Sequence, residues 1–323
     1  MYKDKILYRL RSFRKGFLSG EELARRTGIS RTMVWKHISS LRGQGFTIEA
    51  VPSQGYRLAA EPDLLRKQDI ASGLKIKVIG RDIQLFTTLV STNTAAMELA
   101  SKGAVEGTVI ISEMQTGGKG RLGRKWISPK GNLYLSIILR PAIPTHKAPL
   151  ITMSGAVAVA SAIRSVCGVA VGIKWPNDIL VSGKKVCGLL TEMSAEQDRI
   201  RHIVLGIGID VNMRPDELPP DIRALTTTLS EAKGSTVNRT VLLRQLLRDM
   251  DHWYRQFLVQ DADVLAEWKK LNVTFGRRIT VSGTGELLEG IAQGIDEDGR
   301  LIVKQNNGVL RLIAAGDVTI LKR

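Results

Sequence analysis

A stretch of nine residues combines backbone flexibility with positive charge. It reads Gly118-Lys119-Gly120-Arg121-Leu122-Gly123-Arg124-Lys125-Trp126. Three glycines let the backbone approach a ligand without obstruction by side chains, and four lysine and arginine side chains are interleaved with them. Such a segment costs conformational entropy to order, and it usually becomes ordered around an anion.

Two phosphate-binding motifs fit this stretch only in part. Gly118-x-Gly120-x-x-Gly123 matches the dinucleotide fingerprint, but the following residues predict a turn and a strand instead of a helix. The phosphate-loop pattern fails because Arg124-Lys125 stands where Lys and Ser/Thr are required. No Asp or Glu occurs from Met114 to Asn177, which favours an anion site without identifying the anion. The alternative is a solvated basic loop.

The composition predicts a globular protein with polyanionic partners. The 323 residues are enough for two or three domains, and a hydrophobic content of 43% is ordinary. Of the net charge of +16, about half lies in the first 60 residues, which hold 12 Lys and Arg against 4 Asp and Glu. Cys167 and Cys187 are too few for a disulfide framework. The charged first residues do not lead into a signal-peptide core, and the sequence indicates no apolar run of membrane-spanning length. We therefore expect a cytoplasmic protein without a membrane partner.

Residues 1–58 predict a winged helix-turn-helix. The first helix is indicated by apolar residues at helical spacing, namely Ile6, Leu7, Leu10, Phe13 and Phe17. Ser19-Gly20-Glu21-Glu22 predicts a capping box at the start of a second helix that ends at Gly28. Ser30 caps a third helix that runs to about Arg42, and a hairpin with a turn at residues 52–55 follows.

The third helix is predicted to enter the major groove of DNA. Val34, Ile38 and Leu41 mark its buried face, which leaves four side chains directed outwards as candidate DNA contacts: Arg31, Thr32, Trp35 and Lys36. The basic charge of the segment agrees with this function. The alternative is a winged helix that docks a protein.

The rest of the chain predicts two further domains. Residues 59–63 form a plausible linker, and we expect domain boundaries at 1–64, 65–272 and 273–323. Helices are predicted at Asn93–Lys102, Ile151–Val166 and Val241–Phe257, and strands at 105–112, 132–140, 170–175, 178–182, 185–192 and 202–212. The small residues Ser154–Ala160 predict a helix packed closely on a sheet. From Thr274, short strands separated by Asp298-Gly299, Asn307-Gly308 and Gly316-Asp317 predict a small all-β barrel.

A second group of polar residues lies between apolar strands. Lys174-Trp175-Pro176-Asn177-Asp178 is followed by Lys185, and Gly188 comes three residues later. A strand lysine close to a glycine places an ammonium beside a free backbone N–H, a pair that suits a carboxylate or a phosphate. An exposed lysine at a strand start is the alternative.

Together these motifs resemble the biotin protein ligases. The order and spacing match at Ser91-Thr92-Asn93, Gln115, Gly118–Trp126, Lys174–Asp178, Lys185-x-x-Gly188 and Gly206-x-Gly208. With the winged helix and the small barrel, the chain resembles the bifunctional form, the biotin operon repressors, over essentially its whole length. The resemblance implies a central α/β ligase domain like that of class II synthetases and a C-terminal SH3-like β-barrel.

The resemblance also implies the reaction and the partners. Biotin and ATP, with Mg²⁺, give biotinyl-5'-AMP and pyrophosphate, and a lysine of the biotin carboxyl carrier protein then takes the biotin. The adenylate acts as corepressor: it promotes a homodimer that binds operator DNA at biotin synthesis genes. A lipoate-type ligase and a repressor that senses a small acid without catalysis are the alternatives.

Residue roles follow from the resemblance position by position. Biotin contacts are implied for Ser91, Thr92, Asn93, Gln115, Lys119, Gly120, Arg121, Lys185 and Gly188. Contacts to ATP or the adenylate are implied for Gly118, Arg121, Arg124, Trp126, Lys174, Asn177 and Asp210. No metal ligands are assigned.

The catalytic roles are implied for Arg121, Lys185 and Asp178. The carboxylate of biotin is already a nucleophile, so the first step needs cations to offset anion repulsion, and Arg121, Lys185 and Mg²⁺ supply them. The second step must deprotonate an amine, for which Asp178 is a candidate base or orienting group. A turn-capping role for Asp178 is the alternative.

The chain departs from the family pattern at two positions. Asp210 stands where the family usually has Asn, and Leu122 stands where Arg is frequent. An acid at position 210 tunes the site, binds magnesium, or is a harmless change at a strand end, and we expect the last.

Overall fold

The computed structural model describes residues 2–13, 16–197, 199–283 and 287–321. The chain divides into two compact units, Met1–Leu64 and Leu65–Arg323.

The first unit is a winged helix-turn-helix, as predicted. Its helices are α1 (Tyr2–Ser12), α2 (Gly20–Thr27) and α3 (Arg31–Gly43), and its antiparallel wing is β1 (Thr47–Val51) and β2 (Gly55–Ala60). Ser19 caps α2 by accepting a hydrogen bond from the N–H of Glu22 at 3.0 Å. Gly28 ends α2 in the left-handed conformation with φ of 74°, where glycine carries no steric cost.

Two details of the predicted first unit are wrong. The first helix ends at Ser12, so Phe13 and Phe17 do not extend its buried face, and Phe13 is 50% exposed. The capping box is only half formed, because the carboxylate of Glu22 pairs with Arg26.

The second unit is built on one mixed sheet. Its strands are β3 (Ile83–Phe86), β4 (Val109–Ser112), β5 (Leu133–Leu139), β6 (Gly172–Lys174), β7 (Asp178–Val181), β8 (Lys184–Glu196) and β9 (Arg199–Ile209). In the described residues their order is β3-β4-β5-β9-β8-β7-β6, with β3 and β4 parallel and the other neighbours antiparallel.

Helices cover the sheet. They are α4 (Lys67–Ala71), α5 (Thr92–Ser101), α6 (Ala148–Cys167), α7 (Pro220–Leu225), α8 (Leu229–Lys233), α9 (Arg239–Val259) and α10 (Asp261–Leu271). Ile110, Ile138 and Val204 share one cluster with α5, whereas their strand neighbours join the main core with α6 and α9. This is the alternation of side chains that a strand with two buried faces requires.

The small residues of α6 allow close packing on the sheet, as predicted. A Cβ at Gly155 would lie 2.8 Å from the side chains of Leu189 and Leu205, so the helix axis can approach the sheet only with glycine here. The stretch Thr145–Cys167 is long and apolar enough to cross a membrane, contrary to the sequence-based expectation. However, 72% of its apolar window is buried within the protein, as in the core helix of a globular fold.

The predicted helices and strands of this unit are present with shifts of a few residues at their ends. Residues 105–108, expected to begin a strand, precede β4 instead. The sequence patterns do not predict α4, β3, α7, α8 or α10. Most are short, and α10 follows α9 after one residue, so a single helical period covers both.

The C-terminal residues form a separate antiparallel sheet, which confirms the small all-β region. Its strands are β10 (Arg278–Ser282), β11 (Leu288–Ile295), β12 (Leu301–Lys304), β13 (Leu310–Ile313) and β14 (Asp317–Ile320), and their order is β13-β12-β11-β10-β14. The predicted Asp298-Gly299 and Asn307-Gly308 turns connect β11 to β12 and β12 to β13. Part of the β10–β11 connection, residues 284–286, lies outside the described residues.

Candidate ligand-binding site

A cavity of about 630 Å³ opens between the main sheet, the Gly118–Trp126 loop and the C-terminal sheet. Its size suits a small-molecule ligand. Most of the predicted ligase residues line it, although they come from widely separated parts of the chain: Ser91, Thr92, Asn93, Gln115, Lys119, Gly120, Arg121, Arg124, Trp126, Lys174, Asn177, Asp178, Lys185 and Gly188.

One end of the cavity is a buried polar pocket at the start of α5. The backbone N–H and hydroxyl of Thr92 donate to Oε1 of Gln115 at 2.7 and 3.1 Å. The hydroxyl of Ser136, on β5, lies 2.8 Å from that of Thr92 and 2.6 Å from Oδ1 of Asn93. These bonds fix the side chains before a ligand arrives, so the pocket can recognise neutral donors and acceptors.

Asn93 needs a glycine on the neighbouring strand. A Cβ at Gly206 would lie 2.0 Å from Oδ1 of Asn93, so no other residue fits at that position of β9. The Asn93 amide in turn donates to the carboxylate of Glu192 on β8 at 2.8 Å. Glu192 was not singled out from the sequence.

The middle of the cavity is cationic. Asp178 Oδ1 lies 2.5 Å from Nζ of Lys185, and its Oδ2 lies 3.0 Å from Nζ of Lys174. Burial alone would raise the pKa of Asp178, but the two ammonium groups outweigh burial and lower that pKa below its ordinary value. Asp178 is thus held as a carboxylate between two lysines, at the first residue of β7.

Trp126 lies against the glycines of the two central strands. The ammonium of Lys185 lies 5.1 Å from the centroid of its ring, and a Cβ at Gly208 would lie 2.6 Å from its Nε1. Both glycines of the predicted Gly206-x-Gly208 pattern therefore have a steric reason: Gly206 leaves room for Asn93, and Gly208 leaves room for Trp126.

The Gly118–Trp126 loop carries its arginines to the far side of the cavity. Nη1 of Arg121 donates to Oδ1 of Asn177 at 3.2 Å and lies 3.4 Å from Oδ1 of Asp317 on β14. Arg124 pairs with the same carboxylate. Burial lowers the pKa of Arg121, although a guanidinium stays charged at any physiological pH. The sequence indicated Asp317 only as part of a turn, whereas it begins β14, and no local pattern marks it as a site residue because it lies 196 residues from Arg121.

Two predicted ligand residues do not line the cavity. Gly118 packs under the loop, where a Cβ would lie 2.4 Å from the carbonyl oxygen of Trp126. Asp210 is 3% exposed, and the amide of Asn132 donates to its Oδ1 at 3.3 Å. Burial raises the pKa of Asp210 to about 8, although nearby Lys185 opposes that shift.

The acidic residues that line the described part of the cavity are Asp178, Asp221 and Asp317. No group of three or more His, Cys, Asp and Glu side chains within residues 2–13, 16–197, 199–283 and 287–321 has the arrangement of a metal site. This donor set fits Mg²⁺ only as an ion brought by phosphates, which needs one or two carboxylates at most.

In the first unit, α3 presents the predicted DNA contacts on its outer face. Arg31, Thr32, Trp35 and Lys36 are exposed, and the indole of Trp35 is 57% exposed. Val34, Ile38 and Leu41 are buried, as predicted.

Three family profiles match the chain. Residues 3–57 match an HTH domain, residues 85–210 the biotin/lipoate A/B protein ligase family, and residues 274–321 the biotin protein ligase C terminal domain. The fold and cavity therefore define a protein ligase with an N-terminal helix-turn-helix domain.

Similar proteins narrow the class. The bifunctional ligase/repressor BirA of Bacillus subtilis is 39% identical over 301 residues, 93% of each chain. The protein of the same name from Escherichia coli is 31% identical over 306 residues, which cover 94% of this chain and 93% of the relative. The structure of biotin protein ligase from Aquifex aeolicus in complex with biotin and ATP superposes with a TM-score of 0.64 at 27% identity, over 75% of this chain and 100% of that one. The chain belongs to the family of bifunctional biotin ligase/repressors.

Proposed function

We propose that this protein activates biotin with ATP to biotinyl-5'-AMP and transfers the biotin to a lysine of the biotin carboxyl carrier protein. One observation carries the proposal: a neutral hydrogen-bonding pocket at Thr92, Asn93 and Gln115 shares one cavity with a cationic wall that includes Lys185 and Arg121. A ligand with a neutral polar ring at one end and a carboxylate at the other fits this arrangement. The related A. aeolicus structure contains biotin and ATP.

For biotin, we propose contacts with Ser91, Thr92, Asn93 and Gln115 at the ring and with Lys185 and Gly188 at the carboxylate. Lys119 and Gly120 would cover the ligand from the loop. The ammonium of Lys185 is already 2.5 Å from Asp178, so it is oriented towards the cavity before a second anion arrives. This geometry supports a role for Lys185 in stabilising charge between the carboxylate and the α-phosphate.

For the nucleotide, we propose that Arg121, Arg124, Lys174, Asn177 and Trp126 contribute contacts. Gly118 and Asp210 would support these contacts from outside the cavity walls. Mg²⁺ would enter with ATP, held mainly by the phosphates, and would neutralise part of their charge. The residues of the chain then have to align the biotin carboxylate with the α-phosphate and exclude water.

In the transfer step, we assign Asp178 the role of orienting the acceptor amine. Its lowered pKa makes it a weak base, but its fixed carboxylate can accept a hydrogen bond from an incoming ammonium. Loss of a proton from that ammonium to solvent would then precede attack on the acyl carbon of the adenylate, and AMP would leave.

The winged helix supports a second function as a repressor of biotin synthesis genes. We propose that α3 reads operator DNA through Arg31, Thr32, Trp35 and Lys36, and that biotinyl-5'-AMP promotes the homodimer that binds. The proposed domain boundaries remain 1–64, 65–272 and 273–323, and a cytoplasmic location follows from the partners. The profile shared with lipoate ligases keeps lipoate as a second candidate substrate.

The decisive experiment incubates the full chain with Mg²⁺, ATP and a carrier domain, with either biotin or lipoate, and reads the mass of the carrier. We expect one biotinyl group on the carrier lysine and no lipoyl group. Lipoyl transfer would support the second candidate, and no transfer with either acid would leave a ligand-sensing repressor without catalysis.

A further inference from the structure

The loop and the C-terminal sheet are joined by an ion-pair cluster that the proposed reaction does not yet use. The carboxylate of Asp317 pairs with Arg121 through Oδ1 and with Arg124 through Oδ2. Between the two arginines, Leu122 packs on Gly283, where a Cβ would come 2.8 Å from Cδ1 of Leu122. Three side chains of one loop thus contact one edge of the C-terminal sheet.

Asp317 is the fixed partner in this cluster. It begins β14, where it pairs with Ser282 of β10, and its side chain is 23% exposed at the cavity wall. The loop contains three glycines, and its internal backbone hydrogen bonds include those from Gly120 to Arg124 and from Trp126 to Gly118. A carboxylate on a paired strand therefore ties two arginine side chains of the loop to the C-terminal sheet.

The Asp317 carboxylate would also compete with a bound nucleotide for the guanidinium groups of Arg121 and Arg124. Two guanidinium groups face one carboxylate, and the phosphates of a nucleotide in the same cavity would seek the same N–H donors. Among the described residues, Asn177 is the one other side chain that accepts a hydrogen bond from Arg121. An anion that enters must share or displace Asp317.

We propose that Asp317 is a positioning residue of the ligase reaction: it holds Arg121 and Arg124 at the cavity wall and competes with nucleotide phosphates for them. This inference rests on the proposed assignment of the arginines to the nucleotide. Asp317 weakens ATP binding while it holds the two guanidinium groups at the cavity wall, and it leaves the biotin pocket at Thr92, Asn93 and Gln115 untouched.

Asp317→Asn separates charge from shape, because the amide keeps one oxygen acceptor and loses the negative charge. We expect the KM for ATP to fall about two- to fivefold, the range that a partly exposed ion pair supports, while the KM for biotin stays unchanged. The off-rate of biotinyl-5'-AMP should fall by a similar factor.

The test measures both KM values and kcat by carrier biotinylation with the full chain. The matched control is Glu289→Gln, which removes a carboxylate and an ion pair with Arg278 from the same sheet, away from the cavity. It should change neither KM. In an Arg124→Gln background, the effect of Asp317→Asn on the KM for ATP should shrink.

Three results would overturn the inference: an unchanged KM for ATP, a higher KM for ATP in Asp317→Asn, or the same effect with and without Arg124. Thermal unfolding of each variant checks that the fold is intact. If the unaltered chain transfers no biotin, the proposed function itself fails. That outcome differs from failure of the inference on Asp317, which requires an active parent and a comparison of its KM for ATP with that of the variant.

Discussion

The buried Asp210 should make the stability of the second unit depend on pH, and Asp210→Asn should remove that dependence. Burial raises the pKa of Asp210 from 3.8 to about 8. In the unfolded chain the carboxylate is ionised at neutral pH, so folding at pH 7 must return a proton to it. At pH 7 the part of the shift that counts is the interval of about three pKa units between the unfolded-state pKa and pH 7. At about 1.4 kcal/mol for each unit, this interval costs the folded protein up to about 4 kcal/mol.

The sign follows from the raised pKa. Below about pH 4 the carboxyl is neutral in both states and costs nothing. As pH rises from about 4 to about 8, only the unfolded state ionises, so the protein loses stability. Above the folded-state pKa the loss is constant. Asparagine has no such proton to bind, and its amide can take over the contact with Asn132, so the variant should gain roughly 1–4 kcal/mol at pH 7 and little near pH 4.

The assay is denaturant unfolding of the full chain between about pH 4 and pH 8, followed by tryptophan fluorescence. Trp126, Trp175, Trp253 and Trp268 lie in the second unit, and the Trp35→Phe background removes the signal of the first. Asp216→Asn is the control, because that acid is exposed and its ion-pair partner is Arg214. A stability difference between Asp210→Asn and the parent that stays constant across this pH range would show that the pKa of Asp210 is not raised in the folded protein.

Three further predictions concern the proposed functions. Arg121→Gly should still form adenylate but release it faster, because the loop loses a charge that retains the anion; an unchanged off-rate in a chase experiment would contradict this. Lys185→Ala should raise the activation barrier for adenylation by about 3–4 kcal/mol and change biotin affinity much less. A near-normal single-turnover rate would count against this role of Lys185. Biotinyl-5'-AMP should increase dimerisation in sedimentation and tighten binding to an inverted-repeat operator, and Lys36→Ala should lower the salt slope of that binding. Equal operator affinity with and without the adenylate would show a constitutive DNA binder.

The sequence predicted the local parts of this protein well. The winged helix depends on short-range features, such as Ser19 and Ser30 at helix starts and Gly28 in the left-handed conformation, and these act within a few residues. The C-terminal hairpins follow from Asp-Gly and Asn-Gly turns in the same way. The prediction was wrong at Phe13, because its spacing continues the helical period beyond the true end of α1 at Ser12.

The set of reactive residue types and their order along the chain can be read from the sequence alone. Which of these residues meet depends on how the chain folds. The Asp178 carboxylate lies between Lys174 and Lys185 because two neighbouring strands pair, and Asp317 reaches the arginines because the C-terminal sheet closes one side of the cavity. The same packing buried Asp210 and changed its pKa. Such contacts depend on distances between segments far apart in the chain, and a pattern along one segment carries no information about them.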